Sequence, residues 1–470
     1  STPLHHLLLQ KGPDILVMTS GNRSGEPLSI DNDDAVAAFS HIADFFLLHN
    51  RDIFFGADDS VVRVINRKPR FIRRSRGYAP LPVLLDTRLP KLLGCGAGLK
   101  NTICLTRGNQ AFLSPHIGDL DNAKVFEYFK QTIDHLERIL DIIPETFAHD
   151  LHPGYMSSEF ASGMNDVKTF AVQHHHAHAV SCMAENHLND PVIAITLDGT
   201  GYGTDGHIWG GEILVATRDE FTRQAHLAYL PMPGGDAAVL EPWRMAIALL
   251  HHLYGSDLSG LRLPLLDRIG PEKTAFICQM MDQKINTPLT SSAGRLFDAM
   301  SALLGICHQI SYESQAAMEL EAAAMGHDGR ELPFEMIKHR ADTGSINDKT
   351  LPGPMYEINL LPAMGRMIEE IAEHPADQAP DAAGQISADF HATLCRAFCD
   401  TAAQVSTDTG INTIVLSGGV FNNAVISKTM TRQLTRAGLT VYTHTQVPAG
   451  DGGISLGQVT AAAARIEKEK

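Results

Sequence analysis

Three apolar, strand-like runs in this 470-residue chain each lead into a glycine turn, and that recurrence limits the fold more than any other feature. Val192-Ile193-Ala194-Ile195-Thr196-Leu197 enters the turn Asp198-Gly199-Thr200-Gly201 and continues to Trp209-Gly210-Gly211. Leu92–Arg107 alternates glycine with apolar residues and reads as two strands around a turn. Thr413-Ile414-Val415-Leu416 leads directly into Ser417-Gly418-Gly419, with a helix expected from Asn423. Between the first two runs, Val125, Phe126, Phe129, Ile133, Leu136, Ile139 and Leu140 recur at helical spacing. Strands alternating with helices indicate an α/β architecture. The units at 92–107 and 191–211 suggest a duplicated fold whose two halves face a cleft.

Upstream, Leu4, Leu7 and Leu8 form a helical stripe, and Ile15-Leu16-Val17-Met18 reads as a strand. Arg63, Arg67, Lys68, Arg70, Arg73, Arg74 and Arg76 lie in one acid-free stretch. They alternate with Val62, Val64, Phe71 and Ile72, which fits a solvated face or a strand pair presenting cations to phosphates. Pro80, Pro82 and Pro90 mark a boundary. The expected division is 1–85 as one domain, 86–92 as a linker, 93–190 as a first lobe, and 191–470 as a second lobe with a C-terminal return. Eighty residues bury a thin core alone, so the first unit reads as cut short at its N-terminus or as docked in extended form onto the large domain.

The chain carries 38 basic and 54 acidic side chains, a formal charge of −16. Residues 1–80 hold ten basic and nine acidic groups, so the excess acid lies downstream. That balance argues against bulk binding to nucleic acid. No apolar run reaches the roughly 18–20 residues of a spanning helix. The seven cysteines include no CxxC pair, which argues against a disulfide framework or structural zinc and for a reducing cytoplasm. No signal peptide is read at the start.

The densest chemical feature is Gln173-His174-His175-His176-Ala177-His178, at the start of a helical sequence. His174 and His178 are four apart, on one helix face, where two imidazoles can grip one metal ion. Asp198 and Asp451, each beside glycine, are turn residues or the carboxylates that complete the site. Two histidines with two aspartates suit iron, zinc, manganese or magnesium. The glycines around Gly199 and Thr200, and around Gly418 and Gly419, permit close backbone approach to phosphates. Lys100 adds a cation to the first hairpin. No nucleophilic triad is evident, and the cysteines read as small buried apolar residues.

Taken together, QHHHAH (173–178), LDGTGYG (197–203), EPWRMA (241–246), SAGRLFDA (292–299), SYESQAAMELE (311–321), LSGGVFNN (416–423) and GDGGISLGQ (450–458) resemble the HypF family. These are carbamoyltransferases of nickel-iron hydrogenase maturation. TSGNRSGEP (19–27), HNRDI (49–53), DDSVVR (58–63) and RRSRGYAP (73–80) resemble the second half of that family's YrdC-like domain. The resemblance implies a two-lobed actin-like domain preceded by a partial YrdC-like α/β domain. It implies that carbamoyl phosphate and ATP give carbamoyl-adenylate, whose carbamoyl group passes to the C-terminal cysteine of a partner, HypE. By motif, His174, His178, Asp198 and Asp451 hold one divalent ion (iron, zinc or magnesium). Gly199, Thr200, Gly418, Gly419 and Asn422 match the nucleotide loops. Lys100 and Arg295 are expected at phosphate or carbamoyl groups. Ser20 and Asn22 match the YrdC-like SxN element, with Arg73 and Arg76 as phosphate partners.

Family members begin with an acylphosphatase-like domain, CxxC zinc fingers and the first half of the YrdC-like domain, none of which this sequence contains. Competence for the transfer half alone is therefore expected. Other readings are an O-carbamoyltransferase acting on a small-molecule hydroxyl, a relative that transfers threonylcarbamoyl to tRNA, and a non-enzymatic actin-like nucleotide-binding module. His175 or His176 is expected to line the acceptor side, or else to pack at the helix start.

Overall fold

The computed structural model describes residues 3–164, 166–339, 356–374 and 380–470. Two sheets dominate it. The first orders its five strands as Val83–Leu89, Cys104–Leu113, Leu92–Gly94, Thr146–Asp150 and Lys168–Val172. Leu92–Gly94 pairs antiparallel with Cys104–Leu113, as the glycine-rich run predicts, and parallel with Thr146–Asp150. The helix Ala123–Leu140 covers this sheet with Val125, Phe129, Ile133 and Leu136, so these four of the expected stripe form its buried face, while Ile139 stands exposed.

The second sheet centres on Val192–Tyr202. It pairs antiparallel with Ile208–Ala216 and parallel with Thr413–Ser417. Val192 to Leu197 are all buried, which explains an unbroken apolar run rather than an alternating one. Two helices lie between the sheets. His174–Glu185 packs on the second sheet, and Ile454–Lys468 returns onto strands of the first. A Cβ on Gly457 would come within 1.9 Å of the Ala177 carbonyl oxygen, so glycine lets the two helix backbones touch.

The N-terminal part is packed differently. It holds the helices Pro3–Lys11 and Asn32–Phe39, then an antiparallel hairpin of Val61–Ile65 with Lys68–Arg73. Among described residues 3–60, only Gly56 is buried. It lies on the Ala123–Leu140 helix through Tyr128, whose hydroxyl donates to the Gly56 carbonyl, and through a 2.9 Å Lys124–Glu26 ion pair.

Two expectations fail here. Ile15–Met18 forms no strand, because no neighbouring edge among the described residues completes its ladder, and Ile15 and Val17 stand 86% and 96% exposed. The stretch 86–92 is not a spacer: Val83–Leu89 pairs with Cys104–Leu113, and Leu92 already begins the next strand. Its prolines lie outside the strand, where they remove no ladder hydrogen bond.

Candidate metal centre and glycine loops

The site forms where the lobes meet. Strand pairing in the second sheet shifts register between Leu197 and Gly201, which frees Asp198-Gly199-Thr200 from the ladder. Gly418 has φ 101°, and a Cβ there would lie 2.2 Å from the Leu197 carbonyl oxygen. Glycine alone lets this loop pass beside the strand. The passage sets the Gly419 N–H to donate to Asp198 Oδ1 at 3.2 Å, and the Gly199 N–H donates to the same oxygen at 2.8 Å.

Asp198 Oδ2 faces the histidines, at 2.8 Å from His178 Nε2 and 3.4 Å from His174 Nε2. Asp451 opens the turn before the C-terminal helix, and its Oδ1 lies 3.7 Å from both Nε2 atoms. One ligand atom from each of His174, His178, Asp198 and Asp451 falls within 4.8 Å of every other. Ligand atoms around an ion at about 2.0–2.2 Å sit roughly 3–3.6 Å apart, so the donor set fits one divalent cation.

The electrostatics agree. Burial opposes charge on His174, yet Asp150 and Asp198 outweigh it and hold the imidazole well above its ordinary range. Burial would raise Asp198 too, but hydrogen bonds from His174 and His178 hold it well below. Burial, with the like charge of Asp198 adding and His174 opposing, pushes Asp451 up to about 6. Four donors thus crowd around a centre where a shared cation would relieve carboxylate repulsion.

Sequence reasoning missed Asp150. It ends the strand Thr146–Asp150, and its Oδ2 accepts from His174 Nδ1 at 2.8 Å. That bond turns Nε2 toward the centre, where it would ligate an ion once the ion displaced the proton it shares with Asp198. The available signal was the same as for Asp198: a carboxylate closing an apolar strand.

The other sequence candidates divide into two groups. Arg295, in the helix Ala293–Leu303, pairs with Asp298 at 2.9 Å beside Gly199. Its buried Nε and Nη1 have no hydrogen-bond partner among the described residues. Gly450 faces Gly419 and Asn422, so the two glycine loops meet. Gly199 and Thr200 are half-buried on the opposite turn. Lys100 Nζ is engaged by Glu313 at 2.8 Å, and its charge is also felt by Asp451.

The upstream candidates have partners of their own. Ser20 Oγ donates to Asn22 Oδ1 at 2.6 Å, and Asn22 Nδ2 donates to the Arg23 and Glu26 carbonyls. Arg73 pairs with Asp58 at 2.7 Å and Arg76 with Asp59 at 3.5 Å. His175 and His176 do not line an acceptor face. Both are wholly buried, His175 beside Gly201 and Trp209, and His176 against Phe221 with Nε2 on the Thr217 carbonyl. The packing reading holds for them. All seven cysteines are free and buried.

Three family models match this chain. Residues 1–75 match the Sua5/YciO/YrdC model, described as telomere recombination. Residues 87–185 match the HypF Kae1-like domain, and 194–458 match the second subdomain of the carbamoyltransferase Kae1-like domain. Carbamoyltransferase HypF2 of Cupriavidus necator is 41% identical over 463 residues, covering 96% of this chain and 56% of that protein. A shorter HypF homolog of the same organism is 37% identical and is covered over 91% of its length. The crystal structure of full-length HypF in its phosphate- and nucleotide-bound form superposes with a TM-score of 0.90 at 39% identity, covering 99% of this chain and 70% of that one. The chain spans a little over half the length of most of the curated relatives it matches. With a YrdC-like segment, a two-lobed Kae1-like α/β domain and this level of identity, the chain belongs to the HypF family of carbamoyltransferases.

Proposed function

We propose that this chain transfers the carbamoyl group of carbamoyl-adenylate to the C-terminal cysteine of HypE. The observation that carries the reading is the convergence of four side chains able to ligate a metal with two glycine loops at one place between the lobes. His174, His178, Asp198 and Asp451 are the residues that would hold the ion. A divalent ion supplies Lewis acidity toward a carbonyl oxygen.

The chain's own groups do the rest. Asp150 fixes the His174 ring, and Gly199 and Gly419 N–H groups fix Asp198. The unpartnered edge of Arg295 and the ammonium of Lys100 offer cations for a phosphate. The Gly418–Asn422 turn and Thr200 offer backbone and side-chain polar groups for the nucleotide. In the transfer, the bond from the carbamoyl carbon to the phosphate oxygen breaks and a carbon–sulfur bond forms. AMP leaves with the electron pair, and the thiol proton is released.

Ready-made carbamoyl-adenylate and HypE test this, read by the intact mass of HypE. A gain of one carbamoyl group that vanishes with His174→Ala is expected. Bound carbamoyl-adenylate with no gain on HypE would sink the acceptor assignment. A gain that survives in His174→Ala would sink the role of the cluster.

A further inference from the structure

The basic hairpin touches the second lobe around the Gly419–Asn422 turn. Arg63 and Arg70 stand opposite each other in its register, and both approach the Gly419–Asn422 turn. Arg70, with Phe71, Phe421 and Asn422, lines a cavity of about 20 Å³, room for one water. Arg63 does more. Its Nη2 and Nη1 grip Glu321 at 2.7 and 3.1 Å, and Nη1 also donates to the Asn422 carbonyl at 3.1 Å.

Glu321 belongs to the helix Gln315–Ala324 and is buried. Its Oε1 also accepts the Ala424 N–H at 2.9 Å, in the first turn of the helix Ala424–Arg436. One carboxylate therefore joins the hairpin to the residues directly after the glycine turn. On the opposite side, the Gly419 N–H reaches Asp198. The turn hangs between a metal-site carboxylate and an Arg63–Glu321 clamp. A bidentate guanidinium–carboxylate pair fixes direction as well as distance. Without Arg63, the buried Glu321 keeps, among the described residues, only the Ala424 N–H, and its carboxylate is free to turn.

We infer that Arg63 is a positioning residue for the Gly418–Asn422 loop, so that the N-terminal hairpin sets the geometry in which the second lobe receives a nucleotide. The inference rests on the nucleotide role proposed above for that loop.

The test measures affinity for a non-hydrolysable ATP analogue and for AMP, together with bound metal, in the whole chain. Arg63→Ala is expected to weaken nucleotide binding about fivefold to tenfold, a range set by a charged hydrogen-bonded pair that is part exposed. Metal content stays at the wild-type value, and Arg63→Lys recovers part of the loss. Amide hydrogen exchange over 418–424 rises while 174–185 stays protected. Wild-type affinity and exchange in Arg63→Ala would overturn the inference. Asn422→Ala separates the two layers. If it weakens binding and Arg63→Ala does not, the loop's role stands and only the positioning inference falls. If Asn422→Ala binds as tightly as wild type, the loop is not the nucleotide site and both fall.

Discussion

Ile15-Leu16-Val17-Met18 and Val192-Ile193-Ala194-Ile195 are nearly interchangeable in composition, yet their fates differ completely. The second set is the fully buried centre of a sheet, while the first stands in solvent with no strand partner. Apolar, β-branched residues form a strand only where a neighbouring edge accepts their N–H and C=O groups. The comparison extends to the two regions that hold them. The Kae1-like region is a pair of packed lobes with a buried polar centre, and the N-terminal region is a thin layer fixed by polar contacts and by Phe54 and Phe55 packing on His135 and Tyr128. Its contribution to the site lies in where Arg63 reaches rather than in a core of its own.

The largest effect expected is at the buried centre. Asp198→Asn keeps the shape but removes one charge and one ligand, and carbamoyl transfer should fall by about 1,000-fold or more. Mass spectrometry of HypE with time gives the rate. Retained transfer would break the link between the buried region and the chemistry.

Next is the strand comparison itself. Ile195→Ala should cost about 2–5 kcal/mol of unfolding free energy, as buried truncations do. Ile15→Ala should change it by less than about 0.5 kcal/mol, as exposed sites do. Chemical denaturation of both variants measures the difference, and equal costs would erase the contrast.

The seam between the regions should respond to pH. Burial, then Arg73 and Lys100, push His116 down to about 4. The unfolded chain binds this proton near pH 6.5, so the stability associated with the neutral ring is complete above about 6.5 and is lost as pH falls toward 4. The loss should reach about 2–3 kcal/mol. His116→Gln should flatten that part of the stability–pH curve, and an unchanged slope would remove His116 from the seam.

The smallest effect expected is at Asp150. Asp150→Asn loses the carboxylate that orients His174 and should weaken metal affinity about 10- to 100-fold. Competition with a chelating dye measures it. Full affinity would mean that the helix alone orients the ring.

Much of the site was legible because it is local. The His174–His178 spacing and the glycine turns at Asp198, Gly418 and Asp451 are properties of short segments, and the structure gathers them. Asp150 was hidden because its partner is 24 residues away on another element. The Arg63–Glu321 clamp spans 258 residues and carries no periodic signal. Val83–Leu89 was masked by flanking prolines that punctuate its ends without entering it. His175 and His176 read in sequence as acceptor-side or packing residues, and the helix phase turns them toward Gly201 and Phe221.

Metal stoichiometry tests the central claim most directly: that four side chains from both lobes hold one ion. Purified chain equilibrated with iron, zinc or magnesium should retain one ion of a single kind per chain by elemental analysis. His178→Ala should retain none while melting as a folded protein. Equal metal content in the two proteins would contradict the account.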